Sequence, residues 1–171
     1  ALPILEDLKI KSYFFIYTSI FDGKPDYLEI FRYFRMNYFN NIEDFYTNFY
    51  KTLGKDLSSF FKKNEDFIRK QKIKHSNYST EDVKFRLVRD IFLEKKEYEN
   101  IMFQMIDEKK FEPKKQYSNL FFSKEDLINL NNLGHQIGLH SHNHHMLLEK
   151  LSYEEQKYEY ETCKSTLCKI L

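Results

Sequence analysis

The sequence predicts an α/β protein: a parallel sheet or barrel with a long, mostly helical insertion between two of its strands. Three observations carry that prediction. Helix and strand patterns alternate at both ends of the chain, the arrangement that builds parallel sheets. The stretch between them, about residues 24–118, shows helical spacing only. A histidine-rich segment follows the second strand, at the kind of strand end where α/β folds place their chemistry.

The elements follow in order. Ile4, Leu5, Leu8 and Ile10 give residues 3–10 an apolar helical face, with Pro3 in the first turn. Residues 12–18, SYFFIYT, are short, aromatic and β-rich, and read as a buried strand. Asp22, Gly23 and Pro25 mark a turn. Helical spacing then takes over at Leu28, Phe31, Phe34 and Phe39. Phe45, Phe49 and Leu53 continue it, with Gly54 as the stop. Leu57, Phe60, Phe61, Phe67 and Ile68 suggest the next helix, and residues 72–79 a polar loop. Ser79 and Thr80 cap a helix whose apolar stripe is Val83, Leu87, Val88, Ile91 and Phe92. Tyr98 to Ile106 reads as helix and residues 112–118 as linker. Ser123 with Asp126 forms a capping box for a helix that Gly134 ends. Residues 136–142, QIGLHSH, read as the second strand. Ser152 with Glu155 caps the final helix.

The composition excludes several functions. The 171 residues carry 27 basic and 26 acidic side chains, a net charge of +1, so neither nucleic acid nor an anionic membrane is an expected partner. Apolar runs are far shorter than the roughly 20 residues a membrane helix needs. The opening ALPILEDLKIK lacks the features of a signal peptide, which favours a cytoplasmic location, although a chain opening on Ala reads as cut. Cys163 and Cys168 lie five apart on one helix, a spacing that suits neither a metal knuckle nor a CxxC redox pair; both are expected as buried or half-buried thiols.

Five of the six histidines lie between residues 135 and 145, in GHQIGLHSHNHHMLL. Neutral imidazole is a good ligand for zinc and similar cations. If a helical turn follows the strand, His140 and His144 face the same way and reach one ion. His142 points to the opposite side and His145 is offset from His144. His135, just after a helix-ending Gly, suits the last helix carbonyls and the helix dipole. His75, in a polar loop, has no assigned role. Two histidines leave a catalytic zinc site short of a third ligand and a general base. No Asp or Glu stands out for either job, and Asp22 reads as a turn residue.

The segment GHQIGLHSHNHHMLLEKLSYEEQ resembles the second motif of the polysaccharide deacetylases, the NodB-homology domain of carbohydrate esterase family 4. That motif runs His, Ser or Thr, two variable residues, His, and matches His140, Ser141, His142, Asn143 and His144. The resemblance implies that His140 and His144 bind a divalent metal, zinc foremost, and that Ser141 orients the loop by hydrogen bonding. His145 stands where the family often has Pro. The opening ALPILEDLKIKSYFFIYT resembles the helix and second strand after the family's first motif, an Asp-Asp-Gly run carrying the base and an Asp ligand. IFDG at residues 20–23 is no substitute, since it follows the strand and has one Asp where two are needed.

The resemblance covers about residues 1–20 and 120–171, as an interior part of one such domain spanning 1–171. It implies an irregular (β/α) barrel, an amino-sugar carbohydrate as substrate, and metal-assisted removal of its N-acyl group, with base and acid from motifs outside this sequence. On that expectation the chain alone is inactive and binds metal weakly or not at all. The insertion at about 24–118, far longer than the family's usual connection, is expected to cover the catalytic face as a packed lid. Two rivals stand beside this reading. One is a non-catalytic α/β interaction module with a structural histidine loop, and the other a metal hydrolase on an unrelated α/β scaffold.

Overall fold

Serine caps and two short β-rich segments organise the chain. The computed structural model describes residues 2–145 and 147–171. Ala1 and Met146 lie outside the described residues. Helix makes up 67% of the structure, and among the described residues the sheet is one parallel pair. The chain divides into two compact units, residues 1–27 with 115–171, and residues 28–114.

In the first unit α1 (Leu2–Asp7) leads into β1 (Tyr13–Ile16). After the insertion come α8 (Tyr117–Leu120), α9 (Lys124–Asn132), β2 (Gln136–Leu139) and α10 (Tyr153–Ile170). Both capping boxes form: Ser123 closes with Asp126 on α9, and Ser152 with Glu155 on α10. Each pairing satisfies backbone N–H groups that a helix start leaves without intrahelical partners. β1 and β2 pair in parallel, Tyr13 opposite Gln136 through Ile16 opposite Leu139. Parallel neighbours need a crossover, and here the whole helical insertion lies in it.

One face of the pair is core. Ile16 packs with Leu127 and Leu130 of α9 and Cys163 and Leu167 of α10, and Phe14 and Ile137 join them. The other face is open, with Tyr13 at 71% and Phe15 at 62% exposure. β1 is therefore half-buried rather than buried, because α9 and α10 cover one side only. The Phe15 ring lies over Gly138, where a Cβ would sit 2.6 Å from the ring.

The second unit is helical: most of α2 (Tyr27–Asn37), α3 (Ile42–Leu53), α4 (Ser58–Lys63), α5 (Glu65–Lys74), α6 (Thr80–Leu87) and α7 (Lys95–Glu108). Asn41 and Ser79 cap α3 and α6 through their side chains, and Gly54 ends α3 at φ +63°. The core is aromatic. Phe34, Phe45, Phe49 and Phe85 are fully buried, and the Phe85 ring meets those of Phe45 and Phe49 edge-on at 5.3 and 5.0 Å. Edge-to-face contact sets the positive ring edge against the negative face. One expected stripe is broken. Val88–Phe92 forms a π turn, with the Leu93 N–H reaching the Val88 carbonyl, and Ile91 leaves the stripe to stand 66% exposed. Residues 112–118 are not a plain linker, since a 3-10 turn at Pro113–Gln116 runs into α8.

No helix among the described residues is long and apolar enough to cross a membrane.

Candidate metal centre

The last residues of the sheet ladder aim the histidines. The His140 N–H donates to the Ile16 carbonyl, which carries strand pairing one residue past β2. The chain then turns without forming a helix. Ser141 and His144 both take left-handed backbone conformations, φ +63° and +55°. Such angles are uncommon outside glycine and cost of order 1 kcal/mol or more each. The Ser141 hydroxyl accepts from the His144 N–H at 3.1 Å, closing the turn. His140 and His144 do come together, but through this tight turn rather than the helical turn that their spacing suggests.

Their ring centroids are 5.0 Å apart, inclined at 48°. Two imidazoles sharing one tetrahedral ion at about 2.0–2.1 Å place their centroids roughly 5 Å apart, the separation this pair shows, although among the described residues His140 joins no group of three or more ligand atoms close enough to hold one ion. His144 is held from two sides. Its Nδ1 lies 2.7 Å from Asp26 Oδ2, and its ring stacks on Tyr17 at 4.5 Å and 7°. A ring held through Nδ1 by a carboxylate coordinates through Nε2, the usual arrangement by which a carboxylate orients a metal-binding histidine.

The other histidines have contacts of their own. His142 is 2% exposed; its Nδ1 pairs with the buried Thr18 hydroxyl at 2.9 Å, and its Nε2 lies 3.5 Å from Asp22. His145 Nε2 is 3.4 Å from Glu159. His135 is buried, and its Nδ1 accepts from the Ser12 N–H at 3.1 Å, so its ring braces β1 while its backbone N–H takes the Leu130 carbonyl. His75 stacks on Tyr78.

Glu159, 2% exposed on α10, anchors the loop. Its carboxylate accepts from the N–H groups of His142 at 2.8 Å and Asn143 at 2.7 Å, and from the Asn143 amide at 2.6 Å. Burial alone raises a carboxyl pKa, but the donors from Asn143 and His142 outweigh it and hold Glu159 below the usual carboxylate range. The Cys163 thiol donates to the Ile16 carbonyl, and burial pushes its pKa up; Cys168, expected to be at least half-buried, is exposed.

Asp26, Tyr17 and Glu159 escaped the sequence reading. Only Glu159 left a local trace: with Cys163 and Leu167 it makes the buried stripe of α10, and an acid on such a stripe needs a partner. Asp26 sits beside Pro25 with no local mark, because its partner is 118 residues away.

No family model, no curated protein and no solved structure matches this chain.

Proposed function

We infer that this protein works as a metal-dependent hydrolase that removes N-acyl groups from an amino-sugar carbohydrate, with His140 and His144 as metal ligands. The observation that carries the reading is the pair of imidazoles 5.0 Å apart at the carboxyl end of β2. In this reading β1 and β2 are neighbouring strands of an irregular (β/α) barrel, and zinc is the preferred ion. A divalent cation there supplies Lewis-acid polarisation of the acyl carbonyl. The chain's own residues do the positioning. Asp26 and Tyr17 fix the His144 ring, the Ser141 hydroxyl holds the turn, and Glu159 ties the loop to α10. No general base or acid is assigned within this sequence.

The test is acetate release from N-acetylglucosamine oligomers by the protein expressed from its complete reading frame. Zinc-dependent release that His140→Ala and His144→Ala abolish supports the reading, and wild-type turnover unchanged by chelation contradicts it. One observation favours the non-catalytic module instead: His142 and Glu159 are satisfied within the protein, as a purely structural loop requires. That reading predicts no acetate release and no zinc effect.

A further inference from the structure

The helical unit carries a second concentration of charge, independent of the histidine loop. Arg32 and Arg35 of α2, Arg86 of α6, Arg89 of the π turn and Tyr98 of α7 line a cavity of about 50 Å³. Three of the four guanidiniums have a carboxylate in contact. Arg32 meets Glu29 at 2.9 Å, Arg86 Nε meets Asp82 at 2.9 Å, and Arg89 grips Asp90 with two nitrogens at 2.6 and 2.8 Å. Arg35 reaches only Asp82, at 4.0 Å, and that carboxylate already accepts from Arg86 and from the Tyr46 hydroxyl.

Among the described residues Arg35 thus has only a long contact to a carboxylate that it shares with Arg86. Its side chain is 15% exposed, and its Nε is buried with no hydrogen-bond partner among the described residues. Its guanidinium lies over the rings of Phe85 and Phe45, at 5.3 and 5.9 Å, which attract the charge but offer Nε no oxygen acceptor. Burial lowers its pKa, against the pull of Tyr46, Asp82 and Tyr98. A buried guanidinium with an idle donor is costly, and an anionic acceptor in the adjoining cavity removes the cost.

The geometry points to an anion site: the cavity takes one compact tetrahedral oxyanion, a phosphate or sulfate, held by Arg35 with Arg32, Arg86 and Arg89 around it. Size selects the ligand. A single water needs about 10–15 Å³ of such internal space, so a cavity of about 50 Å³ holds a group the size of a few waters, such as one oxyanion. Guanidinium is the side chain best matched to such oxygens, through paired N–H donors. The group arrives as the free ion or as the terminal phosphate of a monoester.

Isothermal titration of the 171-residue chain tests this, with inorganic phosphate, sulfate and glycerol 3-phosphate as probes and chloride holding the ionic strength constant. The expected result is saturable 1:1 binding. Arg35→Lys weakens it about tenfold, the loss of one charge-assisted contact. Arg32→Gln, at a side chain 57% exposed on which the fold does not rest, weakens it several-fold and keeps the test open if the Arg35 variant unfolds. Binding of all three probes assigns the site to the oxyanion itself. Binding of the monoester alone also supports the site and assigns it to a phosphorylated molecule. No saturable binding by the wild type, or equal binding by both variants, overturns the proposal.

Discussion

Replacing Glu159 with Ala is the most incisive test of how the histidine loop is held. The carboxylate takes three donors at 2.6–2.8 Å, two of them backbone N–H groups of the loop. Hydrogen bonds to a charged group contribute about 1.5–3 kcal/mol each, but bonds to one acceptor are not additive, and the buried charge carries its own desolvation cost. The net loss for Glu159→Ala is therefore about 3–5 kcal/mol, a large share of the roughly 5–15 kcal/mol that stabilises an ordinary domain. Glu159→Gln keeps an acceptor for the backbone donors but sets its amide against the Asn143 amide, and loses about 1–3 kcal/mol. Urea unfolding followed by circular dichroism reads both. Glu161→Ala, exposed on the same helix, is the control and stays within about 0.5 kcal/mol of wild type. A loss below about 1 kcal/mol for Glu159→Ala refutes the claim that α10 anchors the loop.

Three further outcomes follow from the same structure. Phe85→Ala empties the centre of the aromatic core and costs about 3–5 kcal/mol in the same unfolding assay. Gly54→Ala puts a Cβ at φ +63° with no atom closer than 4.0 Å, so its cost is conformational, about 1 kcal/mol, and shows as a lower melting temperature without loss of helix signal. Asp126, Glu155 and Glu159 all have carboxyl pKa values held below normal by their hydrogen-bond donors, so the folded state binds fewer protons than the unfolded one. Their contribution is present above the ordinary carboxyl range of about 4 and is lost as pH falls through the folded-state values. Melting temperature measured against pH is therefore level near neutrality and drops below about pH 4, and a rise on acidification contradicts the assignment.

Local signals in the sequence match the structure where the interaction is itself local. Ser79, Ser123 and Ser152 cap the helices they precede, because the side-chain oxygen and the N–H it serves are three residues apart. The nearness of His140 and His144 follows from a short stretch after one strand. Long-range features had no such trace. The exposed face of β1 depends on how many helices reach the sheet, which an apolar SYFFIYT run does not encode. Ile91 left its stripe for a local reason that no residue type marks, a π turn that shifted the helical register. Asp26 and the Arg35 cavity join residues distant in sequence, so neither periodicity nor spacing shows them.

The central claim is that His140 and His144 share one cation. Zinc titration of the protein, followed through the ¹⁵N resonances of the histidine rings, tests it most directly. The account predicts that His140 and His144 respond together with one stoichiometry while His75 and His135 do not, and that His140→Ala abolishes the response of His144. Zinc that leaves both rings unmoved, or that still engages His144 equally in the His140→Ala variant, contradicts it.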